Sequence, residues 1–333
     1  MILPGDSADA LARAVAVLRA GGLLGLPTET VYGLAADAGN ADAVAAIFTA
    51  KGRPSDHPLI VHVADAAGAG RFAAAVPPFA ARLMAAFWPG PLTLILPRQP
   101  GVAAAAAGGQ DSVGLRCPSH PVAQALLRAA AAAGVHGVAA PSANLFGRVS
   151  PTTAAHVASE FGDSLLVLDG GPCAVGIESA IVDCSRGVPV LLRPGVLTAT
   201  QIEAACGERL RDPSELPQAA PRASGTLEAH YAPRAAVRLM DAGALQTALE
   251  VLGSPPPGDG PAIAVWSRAV LRPGSGAVLV RRMPDDALAV AQQLFGVLRE
   301  FDGRGVRLIW VETPPDTPEW AGVADRLRRA AAR

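Results

Sequence analysis

Lys51 is the only lysine in a chain of 333 residues, and it stands two positions before Arg53 in Lys51-Gly52-Arg53-Pro54. Two cations this close, held by Gly and Pro, suit a phosphate chain, which asks for charge neutralisation and charge-assisted hydrogen bonds. Lys51 and Arg53 are therefore the candidate catalytic residues. His57 and His62 follow in His57-Pro58-Leu59-Ile60-Val61-His62. No third ligand is spaced to join them, so no metal held by protein side chains is expected. Arg116, in Ser112-Val113-Gly114-Leu115-Arg116-Cys117-Pro118, is placed to clamp a carboxylate, although a surface arginine would read the same way. Pro141-Ser142-Ala143-Asn144 and Ser150-Pro151-Thr152 offer small donors that can reach phosphate or ribose oxygens. Gly176-Ile177-Glu178-Ser179 and Leu192-Arg193-Pro194-Gly195 add a hydroxyl and another guanidinium. Pro27-Thr28-Glu29-Thr30-Val31-Tyr32 stacks hydroxyls, a carboxylate and a phenol, and by itself is equally a polar turn. Taken together, these segments describe a basic, donor-rich cleft for an anion with several phosphates.

The usual fingerprints for such ligands are missing. Lys51 has no GxxxxGK[ST] loop around it, and no GxGxxG follows a strand. No Ser–His–Asp arrangement stands out. The chemistry must then be carried by loops at strand ends, where open α/β sheets bind ligands.

The elements that would position these loops alternate along the first 206 residues. Hydrophobic periodicity predicts helices over 7–20, 42–50, 78–87, 121–133, 153–161 and 198–205, with Asn40 as a cap for the second. Strands are predicted over 23–26, 59–63, 92–96, 113–116, 137–140, 165–168, 179–182 and 190–193. This is an α/β domain with a large mixed, twisted sheet. Residues 207–234 carry several prolines, scattered charge and no period, which reads as a linker. A connection of that length is usually functional or a tether. Tyr231, one of two tyrosines, lies in its His230-Tyr231-Ala232-Pro233 end, so the linker is expected to fold over the phosphate cleft as a lid. Residues 235–333 form a smaller Rossmann-like α/β domain, with strands over 237–240, 262–266, 278–282 and 308–312 and helices over 243–252, 285–301 and 319–332.

Composition narrows the function classes. Half the residues are hydrophobic and 17% are charged, which is incompatible with a disordered chain. A net charge of −1 and an aromatic content of 4% argue against a module that grips RNA by its phosphates and stacks its bases. The mean hydropathy of +0.31 comes largely from alanine. The most apolar stretch, 123–140, is broken by Arg128 and His136, so no membrane span is expected. Asp6 and Asp9 near the start do not suit a signal peptide. Cys117, Cys173, Cys184 and Cys206 form no CxxC pair, which fits a reduced, cytoplasmic setting.

PTETVYGL, KGRPxxHPLIVH, WPGPLTLIL, VGLRCP, PSAN…SPT, GIESAIVD and LRPG, in this order, resemble the YrdC-like threonylcarbamoyl-AMP synthase family. The linker element HYAP and the second α/β domain resemble its two-domain form. A carbamoyl transferase of hydrogenase maturation shares the first domain, but would bring zinc-finger cysteine pairs. The resemblance implies a nucleotidyltransferase that joins L-threonine, bicarbonate and ATP, with Mg²⁺, into threonylcarbamoyl-AMP and pyrophosphate. It also implies hand-over of the product to a tRNA threonylcarbamoyl transferase complex. By similarity, Thr30, His62, Arg116, Ala140 and Ser179 fall at threonine-binding positions. Arg53, His57, Ser112, Ser142, Ser150, Arg193 and Tyr231 fall at ATP-binding positions. Ala180 and Ser112 stand where the family commonly has threonine.

Overall fold

The computed structural model describes residues 1–217, 219–251, 262–269 and 278–332. Position 218 of the expected linker, the last residue of the helix expected over 243–252, and residues 253–261, 270–277 and 333 lie outside the described residues. The chain divides into two units, one of Met1–Phe146 with Ser150–Thr226, the other of Gly147–Val149 with Leu227–Arg333.

The first unit holds strands β1 (Ile2–Pro4), β2 (Leu24–Leu26), β3 (Gly33–Asp37), β4 (Ile60–His62), β5 (Leu92–Pro97), β6 (Ser112–Arg116), β7 (Val138–Ala139), β8 (Leu166–Asp169), β9 (Ala180–Asp183) and β10 (Val190–Arg193). They form one ten-stranded sheet in the order β1-β8-β2-β3-β7-β4-β6-β5-β9-β10. The sheet is mixed. β4 and β6 run parallel, as do β5 and β9, whereas β5 and β6 are antiparallel. Helices α1 (Ala8–Arg19), α2 (Ala41–Lys51), α3 (Ala66–Ala69), α4 (Pro78–Phe87), α5 (Pro121–Ala132), α6 (Ala154–Phe161) and α7 (Ala199–Cys206) connect the strands.

Alternate residues of one strand enter different cores, which shows that the sheet is covered on both faces. Leu34 and Ala36 of β3 pack with Val44 and Ile47 of α2 and Leu83 of α4. Ala35, between them, packs with Leu18 of α1 and Leu126 of α5. Strands buried on both faces read as unbroken apolar runs, which is how they appeared in the sequence.

Two strands escaped the sequence reading. β1 has three residues, and β3 is Gly-Leu-Ala-Ala-Asp, without a β-branched or aromatic side chain to signal it. Its strand state comes from pairing with β2 and β7.

Local capping fixes the ends that matter for the site. Asn40 accepts from the N–H groups of Asp42 and Ala43 at the start of α2. The helix stops directly after Lys51 because Gly52 adopts φ +60°, a left-handed cap that glycine takes without steric cost. Arg53 leaves in a new direction.

Residues 207–234 do not stand apart from both units. Those up to Thr226 belong to the first, fastened by Arg211 N–H to the Pro189 carbonyl at 2.9 Å and by Arg222 to Asp56 at 2.9 Å. Leu227 onward belongs to the second unit. That unit contains β11 (Ala236–Met240), α8 (Ala242–Val251), β12 (Ile263–Ser267), β13 (Val278–Arg282), α9 (Ala287–Gly303), β14 (Leu308–Glu312) and α10 (Ala321–Ala331). Its sheet is fully parallel in the order β11-β14-β12-β13. Leu245 and Leu249 of α8 pack on Ile263 and Val265. Among the described residues no helix is long and apolar enough to cross a membrane.

Candidate active site

Pairing in the first unit's sheet lays functional side chains across it in a row. β4 and β6 are parallel neighbours with His62 opposite Arg116. β5 pairs with β6 at Leu94–Leu115 and with β9 at Thr93–Ile181. Thr93 therefore comes next to Arg116 on the far side of β6. His62 and Arg116 end their strands, so the row lies at the carboxyl edge of the parallel pair, a preferred place for ligands. All three side chains are buried.

The loop between β2 and β3 closes over this row. Thr28 Oγ1 donates to the Val31 carbonyl at 2.6 Å and accepts from the Thr30 and Val31 N–H groups, a local turn built on a hydroxyl. Thr30 is thereby fixed inward, and Arg116 Nη1 donates to its Oγ1 at 2.7 Å. Arg116 Nη2 forms an ion pair with Glu29 Oε1 at 2.7 Å, and its Nε donates to the Gly90 carbonyl. Burial pushes the Glu29 carboxyl upward, but Arg116 outweighs it and holds the group below the usual range. For His62, burial and the neighbouring guanidinium both disfavour the charged ring and bring it to about 3, so the imidazole is neutral.

On the other side of the row, Thr93 and Ser179 hydroxyls meet at 2.8 Å. Arg193 Nε and Nη2 both donate to the Ser179 carbonyl, at 3.0 and 2.9 Å, and Nη2 also reaches Ser179 Oγ at 3.3 Å. This close seating requires Gly195. A Cβ there would lie 2.5 Å from the Ala180 nitrogen. Arg193 Nη1 donates to the Ser224 carbonyl at 2.7 Å, while Arg53 Nη2 donates to Ser224 Oγ at 3.3 Å and to the Pro58 carbonyl at 3.0 Å. Ser224 thus links the two arginines. A small cavity of about 10 Å³ lies beneath it, lined by Pro58, Ile60, Thr93, Ser112, Ile181 and Ser224 among others. Arg53 also lies over the Phe146 ring at 5.6 Å, and His57 meets the same ring edge-on. The His57 ring is held below its ordinary range by burial and by Arg53.

Lys51 behaves differently from the phosphate-facing cation expected of it. Its side chain is buried; Nζ donates to the Ser142 carbonyl at 2.5 Å and to the Asn144 carbonyl. Burial, assisted by the charge of Arg53, lowers the ammonium to about 7. Lys51 therefore pins the Pro141–Asn144 loop that carries Ser142. The Ala140 N–H is used by the sheet, donating to the Ile60 carbonyl. Ser150 Oγ donates to Glu178 Oε1 at 2.5 Å, both buried. Tyr231 belongs to the second unit, where it packs against Phe295 and Arg326 with φ +62°.

The first unit thus gathers Thr30, His62, Arg116 and Ser179 around one row, and Arg53, Ser112 and Arg193 around Ser224. Sequence reasoning did not assign roles to Glu29, Thr93, Phe146, Glu178 or Ser224. Glu29 and Glu178 sit inside the quoted segments, one residue before Thr30 and Ser179. Thr93 lies inside the quoted WPGPLTLIL, where it reads only as a strand position, and Phe146 and Ser224 carry no local signal. Among the described residues no group of three or more His, Cys, Asp or Glu side chains could hold a metal ion.

Fold and site together define a two-unit α/β protein whose first unit buries three guanidinium groups, those of Arg53, Arg116 and Arg193. A family model described as "Telomere recombination" matches residues 16–195, and one described as "Threonylcarbamoyl-AMP synthase, C-terminal domain" matches 197–332. The chain belongs to the YrdC-like threonylcarbamoyl-AMP synthase family, in its two-domain form. It is 39% identical over 330 residues to the threonylcarbamoyl-AMP synthase of Bacillus subtilis, covering 96% of this chain and 92% of that one. Against the synthase of Pyrococcus abyssi the identity is 37% over 326 residues, covering 96% and 93%. A solved structure of P. abyssi Sua5 complexed with L-threonine superposes with a TM-score of 0.84 at 35% identity, over 96% of this chain and 94% of that one. A double-alanine variant of the same protein gives a TM-score of 0.86 at 32% identity, over 99% and 96%.

Proposed function

We propose that this chain joins L-threonine, bicarbonate and ATP into L-threonylcarbamoyl-AMP, releasing pyrophosphate. The observation that carries this reading is the row His62–Arg116–Thr93, with Thr30 on Arg116, Ser179 on Thr93 and Arg53 and Arg193 beyond. An amino-acid carboxylate has one buried guanidinium to meet, and a polyphosphate has two others. The threonine complex of the related P. abyssi protein supports L-threonine as the amino acid.

In this reading Arg116 takes the threonine carboxylate as a charge-assisted pair, while Thr30, Ser179 and the neutral His62 surround the rest of the amino acid. The amine and bicarbonate give a carbamate. Its oxygen attacks the α-phosphorus of ATP in line, and pyrophosphate leaves. Such transfers rely on positioning and charge neutralisation rather than a covalent nucleophile. Arg53 and Arg193, with Ser112, Ser142 and Ser150 as hydroxyl donors, serve the phosphates, and Lys51 holds the Ser142 loop in place. For the nucleotide to occupy both arginines, Ser224 must yield them.

The donor set suits an Mg²⁺ carried by phosphate oxygens, since such ions need only one or two protein carboxylates and Glu178 lies buried beside Ser150. When bound, it would offset phosphate charge. The product would pass to a tRNA threonylcarbamoyl transferase complex in the cytoplasm. The net charge of −1 supports a small-molecule hand-over rather than tight tRNA binding. Incubation with ATP, threonine and labelled bicarbonate tests the reading. Label in an acyl-adenylate with stoichiometric pyrophosphate is expected, and threonine-independent ATP hydrolysis alone would refute it.

A further inference from the structure

Carbamate formation has a requirement that the residues given roles so far do not meet. At neutral pH an α-amino group is an ammonium, with no lone pair to attack carbon. Some group must take a proton from it inside a site that excludes water.

We propose that Glu29 is a catalytic residue that accepts this proton. The inference rests on the threonylcarbamoyl-AMP synthase reading of the site. Glu29 is buried, and its carboxylate lies 2.7 Å from Arg116 Nη2, while Arg116 Nη1 holds Thr30. An amino acid whose carboxylate docks on Arg116 must share that guanidinium with Glu29. The ammonium and carboxylate of an α-amino acid are attached to the same carbon, so the ammonium arrives beside the anion that flanks the clamp.

The other ionisable groups facing Glu29 do not compete for the role. His62 on β4 is neutral, so it carries no negative charge to draw the ammonium. Burial raises the thiols of Cys117 and Cys173, the latter to about 12, so both keep their protons. Arg116 on β6 offers only N–H donors and no lone pair to take a proton. Glu29 is the carboxylate of this cluster.

Docking also changes the strength of the base. In the free protein Arg116 offsets the burial of Glu29. Once the substrate carboxylate takes part of that guanidinium, burial is less opposed and the carboxylate becomes more basic. The step balances. One ammonium proton passes to Glu29, and the freed lone pair forms the N–C bond to bicarbonate. The bicarbonate hydroxyl then leaves with a second nitrogen proton as water. The products are the carbamate and a protonated Glu29, which returns its proton to solvent when product leaves.

The test is the pH dependence of labelled threonylcarbamoyl-AMP formation by the full chain and by Glu29→Gln, which keeps the shape but cannot accept the proton. General-base removal typically costs about 10²- to 10⁴-fold. We expect a loss in that range at pH 7, with the threonine KM changed less than the kcat. The loss should shrink about tenfold per pH unit towards pH 9.5, as the free amine accumulates without help. A wild-type kcat in Glu29→Gln, or a loss that is equal at pH 7 and pH 9.5, would overturn the proposal, the second outcome marking a structural role. If Glu29→Gln does not fold, Glu29→Asp decides. A profile parallel to that of the native chain supports the base, and one that follows bulk amine ionisation refutes it. If the native chain makes no threonylcarbamoyl-AMP, the functional reading fails and takes this proposal with it.

Discussion

Lys51 Nζ donates to the backbone carbonyl of Ser142, 91 positions away, at 2.5 Å. The bond ties the last residue of α2 to the loop of Ser142, whose hydroxyl is proposed for the nucleotide. Replacing Lys51 by Met keeps the stem and removes one donor each from the Ser142 carbonyl, which keeps the Asn144 N–H at 3.0 Å, and the Asn144 carbonyl. A lost hydrogen bond from a charged donor costs about 1.5–3 kcal/mol, so a clear drop in melting temperature is expected. The ATP KM should rise as Ser142 loses its register. Unchanged stability with turnover reduced a hundredfold would show instead that the ammonium acts on phosphate directly.

The same lysine predicts a pH signature. Its folded value of about 7 lies below the ordinary 10.5, so between those limits the unfolded chain binds more protons than the folded one. Stability contributed by Lys51 therefore rises with pH across that window. Chemical denaturation at pH 7 and pH 9.5 should show a smaller difference for Lys51→Met than for the native chain.

Arg116 should separate charge from geometry. Arg116→Ala strands the Glu29 carboxylate in a buried site, a loss on the order of 3–5 kcal/mol, and should raise the threonine KM far more than the ATP KM. Arg116→Lys restores the charge but not the planar fork that serves Thr30 and Glu29 together. Partial recovery of stability is expected, with little recovery of threonine affinity. Equal changes in both KM values would place Arg116 on the phosphates.

His62 predicts an acid limb. Its ring is neutral when folded down to about 3, whereas in the unfolded chain it protonates near 6.5. Falling pH thus favours unfolding throughout that interval, by an amount on the order of a few kcal/mol at the low end. Replacing His62 with Gln should flatten the decline of melting temperature between pH 6.5 and pH 4. An unchanged slope would mean that the ring already carries its proton in the fold.

Tyr231 sits buried at φ +62°, a conformation uncommon for a bulky residue. Tyr231→Ala removes a ring that packs on Phe295 and should cost about 3–5 kcal/mol, read as a lowered melting temperature. Tyr231→Phe keeps the ring. A severalfold rise in ATP KM without a change in melting would support the proposed nucleotide role of the phenol, and an unchanged KM would leave Tyr231 as packing.

Much of this architecture was legible because sheet strands buried on both faces announce themselves as apolar runs, and because Asn40 is chemically suited to a helix start. β3 was not, since Gly33–Asp37 owes its state to neighbours rather than to its own residues. The site divides along the same line. Residue type pointed to Arg53, Arg116 and Arg193, while the partners that define their work were hidden. Backbone carbonyls, such as those holding Lys51, have no signature in sequence. The Thr93–Ser179 hydroxyl pair spans 86 positions, and the His62–Arg116 pairing depends on strand register, which no local pattern records. Glu29 was visible but looked like turn polarity until its facing guanidinium was seen.

The short excursion Gly147–Val149 carries a consequence for how the molecule is made. These three residues belong with the second unit. The Gly147 carbonyl receives the Ala232 N–H at 2.9 Å, Arg148 faces Asp302 at 3.7 Å, and the Val149 carbonyl receives Arg299. On the ribosome they emerge some eighty residues before their partners begin. The second unit cannot be completed from the C-terminal segment alone, and a nascent first unit must keep this stretch available until synthesis is nearly finished. Splitting the gene at residue 226 would therefore yield two fragments, neither of which matches a physical half of the protein. Genetic fusion or exchange of the C-terminal part among relatives would have to carry Gly147–Val149 along, or replace it with a stretch that offers the same backbone oxygens.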